Sequence, residues 1–151
     1  CIVHTVAILV LLSFGMSSTG LRSLFDCIQN SEHRIKTSYG VSKPAYGITD
    51  PPSQGVGQGV SFGPSLWALI SSKMINQMER KGHGVDMMSS LSLAIISIVC
   101  FAFVDDTDLI NSTLTRTTTG EEMIPKFQEA LNRWAGSLAA TGGELAPDKS
   151  W

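Results

Sequence analysis

Cysteine, positive charge and long apolar runs are all scarce in this chain, and each scarcity argues against a class of protein. Its 151 residues include three cysteines and three histidines, which are scattered without the spacing of metal ligands. Because the cysteines are odd in number and lie in apolar segments, we expect them to be reduced and buried. Lysine and arginine number 11 against 13 acidic residues. Phosphate contacts need clustered positive charge, so strong nucleic-acid binding by this chain alone is not expected.

The longest early apolar run favours a buried element and not a membrane span. Residues 6–12 are strongly apolar, but crossing a bilayer takes about 20 residues. A basic segment and a small-residue cleavage site, which mark a secretion signal, do not accompany the run. The sequon at Asn111 would matter only in a secreted protein. Cys1 stands where a complete chain would have methionine, which favours a piece of a longer protein.

A glycine- and proline-rich segment at residues 42–61 fits neither of two common nucleotide-binding loops. It lacks the Gly-Lys-Ser/Thr ending of a P-loop, and Val60 occupies the third glycine position of a dinucleotide-binding fingerprint. Long loops inside compact domains are often functional. Repeats and low-complexity tracts are absent from the sequence, and its 43% hydrophobic content predicts one globular domain.

Three segments in the first half of the chain predict helices. Residues 4–14 are expected to form a buried helix, and Ser18 or Thr19 can cap a second one. A third helix is expected from Pro64, because proline suits the first helical position. It should end at Gly82 or Gly84.

A fourth helix and a strand complete the predicted fold. Thr119 and Glu122 offer a capping box, although Pro125 favours a later helix start. Residues 34–41 alternate like a half-exposed strand. Together the segments predict an α+β fold in which helices pack on one face of an antiparallel sheet.

Two adjacent aspartates, Asp105 and Asp106, are the clearest sign of chemistry. Like charges this close repel, and they cannot be buried unpaired. Mg²⁺ resolves the conflict because it selects hard carboxylate oxygens. Neighbours on a regular strand point to opposite faces, so both can reach one metal only in the tight turn of a hairpin. Residues 95–104 read as a strand and residues 107–114 as its return, but a purely structural turn fits the pair as well.

Three segments in fixed order resemble the palm domain of reverse transcriptases. Residues 58–67, Gln-Gly-Val-Ser-Phe-Gly-Pro-Ser-Leu-Trp, resemble the palm segment Gln-Gly-x-x-x-Ser-Pro-x-Leu, with Gly63 in place of the serine. Residues 103–106, Phe-Val-Asp-Asp, resemble the aromatic-x-Asp-Asp metal motif. Residues 142–150, Gly-Gly-Glu-Leu-Ala-Pro-Asp-Lys-Ser, resemble the later segment Gly-Leu-x-Leu-Asn-x-x-Lys-Thr, with Ala146 in place of the asparagine. The resemblance extends over essentially the whole chain and is closest to retrotransposon enzymes without long terminal repeats.

The resemblance implies that residues 1–151 are a partial reverse-transcriptase domain with a palm fold. Its chemistry would be nucleotidyl transfer by two Mg²⁺ ions about 4 Å apart. The implied partners are an RNA or DNA template–primer and a deoxynucleoside triphosphate, in the nucleus or cytoplasm by analogy with retroelements and without a membrane. The implied site comprises the metal ligands Asp105 and Asp106, the template- and nucleotide-binding residues Gln58, Gly59 and Pro64, and Lys149 near the triphosphate.

One expected metal ligand is missing from the sequence. The family has a further aspartate on the first palm strand, whereas residues 1–4, Cys-Ile-Val-His, resemble only the end of that segment. Asp26 falls inside a predicted helix and does not replace it. A thumb and most of the fingers are absent as well, so we expect the piece to be inactive in isolation. The alternative is a non-catalytic globular or membrane-associated protein in which Asp105 and Asp106 form a structural turn.

Overall fold

Short antiparallel hairpins alternate with helices along the chain. The computed structural model describes residues 2–45, 55, 60–103, 106–112 and 119–150. Within these residues there are four α-helices and six short strands, and the strands pair into three separate two-stranded antiparallel sheets. The predicted α+β class with antiparallel pairing is confirmed. The expected single sheet is not what the described strands form. The chain divides into two compact units, residues 1–63 and 64–151.

Two helices form the core of the first unit. Helix α1 (His4–Ser13) confirms the first predicted helix, and α2 (Ser18–Gln29) follows it after a short turn. The cap of α2 is Ser17, whose side chain accepts a hydrogen bond from the Gly20 N–H at 3.1 Å. The prediction of Ser18 or Thr19 was therefore wrong by one position. The buried apolar residues of this pair are Ala7, Leu11, Leu21 and Phe25.

His4 links these helices to the glycine- and proline-rich segment. Its ring is only 3% exposed and lies 5.2 Å from the Phe25 ring, centroid to centroid. The Gln29 amide donates to His4 Nδ1 at 3.1 Å, so Nε2 carries the proton and donates to the Gly55 carbonyl at 2.7 Å. His4 therefore has a structural role within the first unit.

Residues 36–41 form a tight hairpin and not the predicted single strand. Strand β1 (Lys36–Thr37) pairs with β2 (Gly40–Val41). Gly40 has a φ of 128°, a conformation that favours glycine, and it allows the chain to reverse here. Both strands are exposed, so the alternation seen in the sequence does not reflect a buried face.

Helix α3 (Phe62–Arg80) supplies most of the core of the second unit. It begins at Phe62 and not at the predicted Pro64, which lies in the first turn where a missing N–H breaks no intrahelical bond. Gly82, with a φ of 76°, follows the helix as predicted. The buried apolar positions of α3 recur at helical spacing and are Leu66, Ile70, Met74 and Met78.

Two consecutive hairpins follow α3. Strand β3 (Val85–Met88) pairs with β4 (Ile95–Ile98), and β5 (Cys100–Phe103) pairs with β6 (Asp106–Leu109). Val99, which joins β4 to β5, is 4% exposed. The predicted continuous strand over residues 95–104 therefore divides at Val99, because its first half pairs with a strand that the sequence analysis missed.

Helix α4 (Gly120–Ala140) begins with the predicted capping box. The Thr119 side chain accepts from the Glu122 N–H, and the Glu122 carboxylate accepts from the Thr119 N–H at 3.1 Å. Pro125 lies inside the helix, so the prediction of a later start was wrong. The capping box and the burial of Ala130 and Trp134 offset the hydrogen bond that proline removes.

None of the described helices combines the length and the apolar composition that crossing a bilayer requires.

Candidate functional site

The β5–β6 hairpin carries the described part of the predicted metal site. Its strands are antiparallel, and Phe103 pairs with Asp106 at the end farthest from Val99. Asp106 is the first residue of β6 and is exposed. Asp105 lies between the two strands in sequence, outside the described residues. The predicted hairpin is confirmed as far as these two strands describe it, and its return begins at Asp106 and not at Thr107.

One face of this hairpin combines aromatic and acidic side chains. Residues that pair across antiparallel strands point to the same face, and alternate residues share it. Phe101 pairs with Asp108, and Phe103 pairs with Asp106, so these four side chains lie together. Phe101 is 63% exposed and Phe103 is 78% exposed. The acidic residues of β6 therefore lie on a face that is open to solvent.

The opposite face of the hairpin is better covered. Cys100, Thr107 and Leu109 are half-buried there. The Ile110 N–H donates to the Val99 carbonyl at 2.8 Å, which continues the ladder one step past the Cys100–Leu109 pair. The ladder of the β5–β6 hairpin therefore extends to Val99, the residue that joins β4 to β5.

The other predicted site residues are distributed along the chain. Gln58 and Gly59 lie outside the described residues, so their template-binding role stays a prediction. Pro64 is exposed in the first turn of α3, and Lys149 is exposed in a 3₁₀ turn over Pro147–Lys149. Among the described residues, no hydrogen bond or ion pair joins the Lys149 side chain to Asp106.

Metal-binding groups are sparse in the described part of the chain. No cluster of three or more His, Cys, Asp or Glu side chains that could hold an ion occurs there. Asp86 on β3 accepts a hydrogen bond from Ser97 on β4, so that carboxylate serves its own hairpin. Since Asp105 is outside the described residues, Mg²⁺ binding by Asp105 and Asp106 stays a prediction.

No family model, no curated protein and no solved structure matches this chain. The functional conclusion therefore depends on the residues themselves and on the geometry of the hairpin.

The residues that hold the base of the β5–β6 hairpin were not predicted from the sequence. His83 is buried, and Asn111 contacts both His83 and Gly84 through its side-chain oxygen. The only signal in the sequence was the Gly-His-Gly segment at residues 82–84, which marks a sharp turn after α3. That signal does not name Asn111 as the partner.

The two described cysteines differ in their surroundings. Neither Cys27 nor Cys100 is in a disulfide. Cys27 is exposed, so the prediction that it is buried was wrong. Cys100 is half-buried, and its burial raises the pKa of the thiol.

Alkylation should distinguish these two thiols. Only the thiolate reacts, and the raised pKa of Cys100 moves thiolate formation to higher pH. At pH 8 we expect iodoacetamide to modify Cys100 about tenfold more slowly than Cys27. Quenched samples analysed by peptide mass spectrometry would give both rates, with guanidinium-unfolded chain as the control in which the rates converge. Equal rates in the folded chain would contradict the burial of Cys100.

Proposed function

We propose that this chain is part of the palm of an RNA-directed DNA polymerase that uses two-metal nucleotidyl transfer. The observation that carries the proposal is the antiparallel β5–β6 hairpin, in which Phe103 pairs with an exposed Asp106. Its sequence, Phe-Val-Asp-Asp, is the aromatic-x-Asp-Asp pattern of reverse transcriptases. The proposal thus joins a sequence resemblance to a local geometry that suits the same chemistry.

The hairpin supports metal binding for a stereochemical reason. On one continuous strand, adjacent aspartates would point to opposite faces. When the chain reverses between β5 and β6, both carboxylates can turn toward a single ion. Asp106 and Asp105 would hold Mg²⁺, which when bound stabilises charge on the attacking oxygen and the leaving pyrophosphate. The exposure of Asp106 leaves its oxygens accessible to a hydrated cation.

The order of elements in the second unit also supports a reverse-transcriptase-like palm. Helix α3 begins within residues 58–64, the Gln-Gly-x-x-x-x-Pro segment. The β5–β6 hairpin follows α3, and α4 precedes the segment that contains Lys149. In this proposal Gln58, Gly59 and Pro64 lie against the template and the incoming nucleotide. Glycine allows a backbone to approach a base pair closely. Lys149, exposed on its 3₁₀ turn, is available to neutralise triphosphate charge.

Asp105 and Asp106 are the two metal ligands that this proposal identifies among residues 1–151. Two carboxylates leave most of the coordination sites of Mg²⁺ to water, so metal binding should be weak. The near-zero charge balance, with 11 basic and 13 acidic residues, also gives little attraction for a template–primer.

A second candidate is a non-catalytic globular protein in which Asp105 and Asp106 serve only as a turn. One observation fits it: among the described residues, which do not include Asp105, no group of three or more His, Cys, Asp or Glu side chains could hold a metal ion. The two candidates differ in one property that can be measured, which is selective binding of a divalent cation.

Primer extension tests the polymerase proposal. The assay uses the full-length protein in which these residues occur, on an RNA template. We expect Asp105→Asn to reduce synthesis by at least about a hundredfold, because the metal ions supply several kcal/mol of charge stabilisation. Asp108→Asn, on the same exposed face of β6, is the matched control and should leave synthesis close to wild type. Undiminished synthesis by Asp105→Asn would eliminate the metal role.

A further inference from the structure

The segment that follows the β5–β6 hairpin is joined to the start of β3 by side-chain hydrogen bonds at Gly84. This contact is the joint between the two hairpins. Asn111 Oδ1 accepts from the Gly84 N–H at 3.4 Å, and Ser112 Oγ donates to the Gly84 carbonyl at 3.1 Å. Two residues that follow β6 thus pair with both peptide groups of the residue that precedes β3. Strand β3 pairs with β4, and β6 pairs with β5, but β3 and β6 do not pair with each other. These side-chain bonds therefore connect hairpins that share no backbone ladder.

The joint is partly buried as well as hydrogen-bonded. His83 is 6% exposed, and its Nδ1–H donates to the same Asn111 oxygen at 3.4 Å. His83 Nε2 and Asn111 Nδ2 are shielded from solvent and have no hydrogen-bond partner among the described residues. Burying polar atoms without hydrogen-bond partners costs free energy. Other contacts of this geometry must offset that cost. The buried Nδ2 is also the atom that N-glycosylation of the sequon would modify.

Glycine is the only residue type that fits at position 84. Its φ is 109°, and a Cβ built on it would lie 2.8 Å from the Ile98 carbonyl oxygen. The backbone at Gly84 therefore lies too close to the β4–β5 junction to leave room for a side chain. Helix α4 joins the same cluster, because Lys126 Nζ donates to the Ser112 carbonyl at 2.7 Å.

We propose that Asn111 is a positioning residue that, together with Ser112, fixes the direction in which the β5–β6 hairpin projects. A hairpin held only by its own ladder is free to bend at Val99, where β4 passes into β5. The bonds to Gly84 remove that freedom because they attach the β6 side to the neighbouring strand pair. The consequence for Asp105 and Asp106 rests on the proposed function, whereas the joint itself does not.

Amide exchange and orientation measurements on the full 151-residue chain test this proposal. Asn111→Ala removes the acceptor, and we expect the Gly84 amide to exchange about tenfold faster. Residual dipolar couplings of β5 and β6 should change relative to those of β3 and β4. Asn111→Asp keeps an acceptor oxygen and should restore both readouts toward wild type. Asn132→Ala, on the exposed face of α4, is the matched control and should change neither.

Unchanged Gly84 exchange and unchanged couplings in Asn111→Ala would overturn the proposal. If that variant does not fold, Ser112→Ala carries the test, because it deletes only the bond to the Gly84 carbonyl. This variant should change the residual dipolar couplings of β5 and β6. Unchanged couplings in the folded Ser112→Ala variant would also overturn the proposal. None of these readouts uses a metal ion or a nucleic acid. Failure of the joint and failure of the polymerase proposal are therefore separate results.

Discussion

Replacing Gly84 by alanine should lower the free energy of unfolding by about 3 kcal/mol. Two effects add at this position. The backbone has a φ of 109°, which a residue with a Cβ rarely adopts, and the added carbon would lie 2.8 Å from the Ile98 oxygen and 3.2 Å from Val99 Cα. Both contacts are to backbone, so a side-chain rotation cannot relieve them. Urea denaturation followed by far-UV circular dichroism would measure the loss.

Gly82→Ala is the matched control for this substitution. Gly82 has a φ of 76°, yet a Cβ at this position would meet nothing within 4 Å. We expect a cost of about 1 kcal/mol from backbone strain alone. Equal losses of unfolding free energy in Gly82→Ala and Gly84→Ala would contradict the close approach of Gly84 to the β4–β5 junction.

Truncating Trp134 should have the largest effect of any change on α4. The side chain is 4% exposed in the middle of the helix. Removing a buried indole takes away its transfer free energy and leaves a cavity, so Trp134→Ala should lose about 3–5 kcal/mol. Chemical unfolding monitored by circular dichroism measures this without using tryptophan fluorescence as the signal.

Phe127→Ala provides the comparison on the same helix. Phe127 is 42% exposed and contributes with Ile124 and Leu131 to a shallow apolar groove. Because much of its surface is already in water, we expect a loss of about 1 kcal/mol. A loss from Phe127→Ala as large as that from Trp134→Ala would mean that the core lies on a different side of α4.

The helices could be predicted from the sequence because their signals are local. The apolar spacing of α3, from Leu66 to Met78, matches the positions that are buried. The capping box of Thr119 and Glu122 was readable for the same reason, since both partners lie within one turn. Pro125 misled the prediction, because its penalty is a single-residue effect that the rest of α4 offsets.

The strand arrangement could not be read in the same way. Residues 95–104 form one apolar run, and nothing in that run shows that Val99 divides it between two partners. The division depends on β3, whose residues Val85–Met88 carry a weak pattern of their own. Pairing between strands depends on the partner strand and on the register, which the periodicity of a single segment does not contain.

The candidate site was predicted in part for a related reason. A hairpin with Asp105 and Asp106 in its tight turn was predicted from the stereochemistry of adjacent carboxylates. Strands β5 and β6 confirm the hairpin, but Asp106 is the first residue of β6. The Asn111–Gly84 joint was not foreseen, because it depends on side-chain bonds between residues 27 positions apart. The roles of Gln58, Gly59 and Lys149 came from the resemblance alone and stay predictions.

Magnesium titration of the 151-residue chain, followed by ¹⁵N NMR, would show whether Asp105 and Asp106 bind a divalent cation. If the twin aspartates hold a cation, the amides of residues 105 and 106 should shift first and saturably at millimolar Mg²⁺, an order of magnitude that suits two carboxylates. Asp106→Asn should abolish those shifts, while Asp108→Asn on the same face of β6 should leave them intact. Small shifts spread evenly over all acidic residues, or a response that survives Asp106→Asn, would exclude Asp105 and Asp106 as the cation site.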